Sequence, residues 1–306
     1  MKYDIITIIG PTASGKTRLA TNLAIKMGSE IISGDSRQIY KCMDLGTGKD
    51  LSEYNINGVS IPYHLIDIAS PGYKYSIYEY QRDFIKAYDA IKKRNRIPIL
   101  CGGSGLYIES VLKDYCLQPV PPNIELREAL EGKTLKELTS ILSSYKKLHN
   151  KTDTDSKKRA IRGIEIEEYY KTHSKELKEK TPINSLTIGL TLSKEERWKR
   201  IHARLLQRLN DGMIEEVENL LKKGVKAEDL IYYGLEYKYL TLFLTKKIAY
   251  DEMFVKLEIA IRQFSKRQMT WFRGMQRRGI CIHWIDATWP LEEQLGQIQY
   301  WKEEYQ

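Results

Sequence analysis

Gly10-Pro11-Thr12-Ala13-Ser14-Gly15-Lys16-Thr17 follows directly on the apolar run Ile5-Ile6-Thr7-Ile8-Ile9. Glycine, glycine, lysine and threonine occupy every fixed position of the G-x-x-x-x-G-K-[ST] pattern, in the strand-then-helix setting that gives the pattern meaning. Gly10 and Gly15 let the backbone curl around an anion with its N–H groups pointing inward. A helix opening near Lys16 adds the positive end of its dipole. Lys16 can reach a terminal phosphate, and the Thr17 hydroxyl is placed to hold Mg²⁺. The motif is shared with nucleotide- and ATP-binding proteins. It indicates a bound polyphosphate without saying whose.

Outward from this loop, 5–9 reads as a strand and 16–27 as a helix. Glu30-Ile31-Ile32-Ser33 is a second strand ending in Gly34-Asp35-Ser36. Residues 75–94 alternate apolar and charged side chains at helical spacing, and Arg96-Ile97-Pro98-Ile99-Leu100-Cys101 is another buried strand running into Gly102-Gly103-Ser104-Gly105. Strands alternating with helices predict an α/β protein with a P-loop-type doubly wound parallel sheet, its sites at the C-terminal strand ends. Strand signals stop between about Tyr115 and Pro182, where prolines 119, 121 and 122 lead into lysine-rich amphipathic stretches; Ser185 to Leu192 then resumes as strand. Residues 1–114 therefore read as the first part of the core. Residues 115–183 read as an inserted helical domain, and 184–306 as the rest of the core, mostly helical beyond 193.

The 306 residues are 42% hydrophobic and 29% charged, a composition that supports a full globular core. No apolar run approaches the roughly 20 residues of a membrane span. Met1-Lys2-Tyr3-Asp4 enters the first strand with no signal-peptide pattern, and the four cysteines are scattered without a C-x-x-C pair. The expectation is a cytoplasmic, monomeric protein without disulfides or zinc. The net charge of +9 is more than a small phosphorylated substrate needs and leaves nucleic acid open as a partner.

Asp35 stands at a strand end opposite the phosphate loop, where a carboxylate can act as a base, hold a metal or cap a turn. An apolar strand ending in a metal-binding Asp, usual in phosphoryl transfer, has only the weak candidate His64-Leu65-Ile66-Asp67. Between Leu257 and Arg278, a helical projection puts Leu257, Ile261, Phe264, Trp271, Phe272 and Met275 on one face. Arg262, Lys266, Arg273 and Arg277 lie nearly opposite, with Arg267 and Arg278 between. Seven basic residues from Lys256 to Arg278 face a single acid, Glu258. Such a stripe repels itself unless an anion such as a nucleic-acid backbone neutralises it. Arg197, Arg200 and Arg204 share another helix face, which from spacing alone fits a clamp on phosphate oxygens and a solvated surface stripe equally, and Lys157-Lys158-Arg159-Ala160-Ile161-Arg162 forms a compact basic patch.

Taken together these segments resemble the tRNA dimethylallyltransferases, or tRNA isopentenyl transferases, over essentially the whole chain. The likeness is carried by 10–17, by Asp-Ser-Arg-Gln-Ile-Tyr at 35–40 and by Gly-Gly-Ser-Gly-Leu-Tyr at 102–107. It continues in Arg-Ala-Ile-Arg-Gly-Ile-Glu at 159–165 and Lys-Arg-Gln-Met-Thr-Trp-Phe-Arg at 266–273. The resemblance implies that the phosphate loop, Gly10 to Thr17, binds the diphosphate of dimethylallyl diphosphate, with Thr12 and Ser14 lining the pocket. It implies transfer of the isopentenyl group to N6 of the adenosine 3′ of the anticodon, position 37 of tRNA, with Asp35 as general base. It also implies tRNA contacts from Asp35, Ser36, Arg37, Gln38, Ser104, Lys158, Arg159, Arg162, Lys266, Arg267, Gln268 and Arg273. Arg200 and Arg204 are expected to complete the diphosphate clamp, with Mg²⁺ as cofactor and the anticodon stem-loop as partner.

This sequence departs from the family pattern in three places. Gly46-Thr47-Gly48-Lys49-Asp50 replaces the more usual Gly-Thr-Ala-Lys-Pro, and Ile231-Tyr232-Tyr233-Gly234-Leu235-Glu236-Tyr237 replaces a basic Gly-Tyr loop. The Cys/His zinc finger of eukaryotic relatives is absent, as in bacterial-type enzymes. The competing readings are a P-loop nucleotide or small-molecule kinase, an isopentenyltransferase accepting AMP, and an RNA-binding module with a vestigial loop.

Overall fold

A computed structural model describes residues 3–146, 148, 154–173 and 182–304. The apolar run forms β1 (Ile5–Ile9), buried along its whole length as befits a strand covered on both faces. It is followed by β2 (Ile31–Ser33), a small antiparallel hairpin of β3 (Asn55–Ile56) and β4 (Val59–Ser60), β5 (Tyr63–His64), β6 (Ile99–Gly102), β7 (Ser185–Thr191) and β8 (Ile282–Asp286). Six strands make one sheet in the order β5-β2-β6-β1-β7-β8, and every pairing in it is parallel. β6 begins only after Pro98, which has no N–H for the ladder.

The chain divides into two compact units, Met1–Tyr115 with Thr181–Gln306, and Cys116–Lys180. In the first, α1 (Lys16–Met27) ends on left-handed Gly28, and α2 (Ile77–Lys93) starts at a reciprocal Ser76/Glu79 capping box. α3 (Gly105–Leu112) follows β6. The second unit consists of α4 (Ile124–Glu131), α5 (Leu135–Tyr145) and α6 (Lys157–Thr172) around Leu130, Leu138, Leu142, Ala160 and Ile164. The first unit resumes with β7 and then α7 (Lys194–Asn210), α8 (Met213–Lys222), α9 (Ala227–Tyr233), α10 (Leu235–Leu244), α11 (Tyr250–Arg277) and α12 (Leu291–Glu304). Alternate residues of β1 feed two cores, Ile5 and Ile9 into one and Ile6 and Ile8 into the other, as strand geometry requires. β8 lies within the mostly helical C-terminal stretch and adds an edge strand beside β7. Among the described residues no helix is long and apolar enough to cross a membrane.

Candidate active site

Because the sheet is parallel, the loops after β1, β2 and β6 open along one edge. After β1, the phosphate loop turns through Ala13 at φ +61° and Gly15 at φ +83° before α1 begins at Lys16. Lys16 Nζ donates to the Pro11 carbonyl at 2.9 Å, and burial lowers its pKa below the usual lysine value. The Ser14 hydroxyl is buried and has no hydrogen-bond partner among the described residues. An orphaned hydroxyl donor beside the buried Lys16 ammonium suits an anion's oxygens.

After β2, Asp35 Oδ1 accepts the Arg37 N–H at 2.9 Å, so the turn-capping role is real. The second oxygen, Oδ2, takes no hydrogen bond among the described residues, which leaves it able to accept a proton. Ser104, after β6, ties this turn down: its N–H donates to the Gly34 carbonyl at 3.2 Å and its Oγ accepts the Ser36 N–H at 2.9 Å. Gln38 is partly buried; its Oε1 accepts from the Ser33 hydroxyl at 2.9 Å and its Nε2 donates to the Gly48 carbonyl at 3.0 Å. A Cβ on Gly102 would come within 2.3 Å of the Gly34 backbone, so glycine is what lets the two loops meet.

Beside the phosphate loop lies a small cleft lined by Thr12, Ala13, Arg204, Arg208 and Glu236, among apolar side chains of α7, α8 and α11. Arg204 is half-buried; burial and neighbouring Arg208 lower its pKa, while Asp50 opposes the shift. Burial raises the Glu236 pKa. The structure does not bring Arg200 to this cleft. Its Nε donates to Glu196 at 2.7 Å and its Nη2 contacts the Ala287 carbonyl at 3.4 Å, while Arg208, one turn beyond Arg204, lines the cleft instead. The i, i+4 spacing from Arg204 was the one sequence signal that could have found Arg208. Asp67, the weak metal candidate, is bridged to buried Lys49 at 2.5 Å.

The basic helix is α11. Its buried face includes Leu257, Ile261, Ser265, Gln268, Phe272 and Met275, so two polar residues sit where only apolar ones were expected, and Phe264 is 39% exposed. Gln268 is correspondingly buried: its Oε1 accepts from the Thr12 N–H at 2.8 Å and its Nε2 donates to the Gly103 carbonyl at 2.9 Å. It holds the phosphate loop and does not share the exposed face on which Lys266, Arg267, Arg273 and Arg277 stand. Arg262 pairs with Glu258 at 2.6 Å and lies over the Trp198 ring.

In the helical unit, Lys158 and Arg159 are exposed, Arg159 bridged to Asp155. Arg162 is committed within the unit, bridging Glu165 and donating to the Val120 carbonyl at 2.8 Å.

The family model described as IPP transferase matches residues 38–275. The chain is 61% identical over 297 residues to a protein of Phocaeicola vulgatus named tRNA dimethylallyltransferase 2, covering 97% of each. It is 62% identical over 297 residues to a Bacteroides fragilis protein of the same name, again covering 97% of each. The crystal structure of a Bacillus halodurans tRNA isopentenylpyrophosphate transferase superposes with a TM-score of 0.72 at 28% identity, over 100% of this chain and 97% of that one.

Proposed function

This chain belongs to the IPP transferase family, and from that premise we propose that it transfers a dimethylallyl group from dimethylallyl diphosphate to N6 of the adenosine 3′ of the anticodon in tRNA, releasing diphosphate. The observation that carries the reading is the joining of Asp35 and the phosphate loop along one sheet edge. Ser104 binds the Asp35 turn, and Gln268 ties the neighbouring Gly103 to Thr12. An anion cradle and a carboxylate with a spare oxygen are what displacement of a diphosphate by an amine requires.

In this mechanism the adenosine N6 attacks C1 of the prenyl group while the C1–O bond to diphosphate breaks. The N6 proton passes to Asp35 Oδ2 as the C–N bond forms, because the amine is a poor nucleophile while conjugated into the purine. The loop amides, Lys16 and Arg204 stabilise the charge gathering on the departing diphosphate. Among the described residues no three His, Cys, Asp or Glu side chains cluster as a metal cage. A Mg²⁺ ion would therefore be held chiefly by the diphosphate and the Thr17 hydroxyl, a donor set this ion accepts, and would draw off further leaving-group charge. The acceptor base must leave its stack to reach the edge. Exposed Lys266, Arg267 and Arg273, with Ser36 and Arg37 beside Asp35, are the proposed grip on the anticodon stem-loop, and exposed Lys158 is a proposed RNA contact of the helical unit.

Incubation with labelled dimethylallyl diphosphate and, separately, total tRNA, AMP or ATP tests the reading. Label is expected in tRNA alone. Labelled AMP would favour the mononucleotide acceptor, and phosphoryl transfer from ATP the kinase.

A further inference from the structure

The loop from Asp44 to Asp50 presents one carboxylate to both cleft arginines. Asp50 Oδ1 accepts from Arg208 Nη2 at 3.1 Å, and Oδ2 accepts from Arg204 Nη2. The loop is fastened from several sides. Fully buried Lys49 donates to the Tyr40 carbonyl at 2.7 Å and to Asp44 and Asp67 at 2.5 Å each. Glu216 accepts the N–H groups of Asp44 and Leu45 at 2.8 Å and of Gly46 at 3.0 Å. Gly48 has φ +66°, and a Cβ there would come within 2.2 Å of Arg208 Nη2, so the bare backbone is what admits the guanidinium. Asp50 itself sits at φ +47°, a region that Asp and Asn enter more readily than other side chains.

We propose that Asp50 is a positioning residue that holds Arg204 and Arg208 beside the phosphate loop and competes with diphosphate for them, weakening the grip on the leaving group so that product departs. The proposal rests on the donor reading above. Two guanidiniums side by side near Lys16 repel one another, and a shared counter-ion keeps them in place before an anion arrives. An incoming diphosphate offers the same bidentate acceptors and must draw the arginines from a carboxylate that its loop holds still. Affinity common to substrate and product does not raise turnover, and slow product release limits many enzymes. A clamp carrying its own counter-ion avoids that trap.

Asp50→Asn and Asp50→Gly both tolerate the left-handed backbone and remove the charge. Calorimetric titration with inorganic pyrophosphate at fixed Mg²⁺ should show both variants binding roughly tenfold tighter than wild type, the scale of about 1.4 kcal/mol for one lost competing contact. A purely supporting role predicts the opposite, weaker binding together with a lower melting temperature. Unchanged or weaker pyrophosphate binding, or failure of both variants to fold, would overturn the proposal. Transfer of label to tRNA by wild type, run alongside, separates the two readings. If that transfer occurs and the variants bind no tighter, only the role of Asp50 falls; if it does not occur, the donor reading falls with it.

Discussion

The side-chain oxygen of Gln268 accepts the backbone N–H of Thr12 at 2.8 Å, across 256 positions of sequence. The same amide donates to Gly103 at 2.9 Å, so α11 clasps the phosphate loop and the loop after β6 together. Lys266 and Arg267, immediately before it, are exposed. One helix thus carries both the support of the anion cradle and the basic surface.

Gln268→Ala should leave the Thr12 N–H and the Gly103 carbonyl without partners, costing about 1–3 kcal/mol of stability. Pyrophosphate affinity should fall several-fold while tRNA binding at low salt stays close to wild type. Thermal melts and pyrophosphate titration read both effects. If tRNA affinity collapses while pyrophosphate binding is untouched, Gln268 contacts RNA and does not chiefly brace the loop.

Asp35→Asn tests the base with little structural disturbance, because an Asn oxygen can still accept the Arg37 N–H that Oδ1 now takes. The turn should survive and turnover should drop by about two or more orders of magnitude, the usual scale for loss of a general base. tRNA binding should persist. Single-turnover transfer is the measurement, and a folded variant working at near-normal speed would return Asp35 to a capping role alone.

Reversal of charge at Lys266 and Arg273 together addresses the grip on RNA. Both are exposed on α11, away from its buried face. If each neutralises a phosphate, tRNA affinity should fall and the salt dependence should flatten by roughly 0.7 in log–log slope per lost single-strand contact. Pyrophosphate affinity should hold. A variant matching wild type in both tRNA affinity and slope would remove these residues from the interface.

The frame of the molecule was legible in the sequence because the phosphate-loop motif and the buried strands are local signals. The apolar run before Gly10, the Asp35 turn and the strand at 185–191 lie where their patterns placed them. What escaped was long-range. Gln268 occupies the core face of α11 because Thr12 and Gly103, from distant loops, satisfy its amide there, which periodicity cannot foresee. Arg200 and Arg204 share a face on a helical wheel, but Arg200 is held by Glu196 four residues before it on α7 and by the distant Ala287 carbonyl, whereas Arg204 meets Asp50 from another loop. Asp50 stood in the sequence only as the last residue of the altered 46–50 segment, and its pairing with Arg204 and Arg208 spans more than 150 positions.

Arg162 provides a last test, separating support within the helical unit from contact with RNA. Glu165, 2% exposed, accepts from Asn123 N–H at 2.6 Å and bidentately from Arg127 at 2.9 Å, besides its bridge to Arg162. Burial pushes the Glu165 pKa up, but the hydrogen bonds from Arg127, Arg162 and Asn123 outweigh it and the net shift is downward. A carboxylate whose folded pKa lies below its unfolded value, about 4.3, stabilises the fold fully above that value. The contribution fades as pH falls through the lower folded value. Arg162→Ala, with Arg127 still paired, should therefore cost about 1–2 kcal/mol at neutral pH. The difference from wild type should shrink as pH falls through the lowered folded value, because Glu165 then protonates in the wild type too. Amide hydrogen exchange in α4 and α6 of the full chain, at neutral and acid pH, reads this locally. Exchange unchanged by the substitution at neutral pH, together with weaker tRNA binding, would show that Arg162 serves the RNA and not the unit.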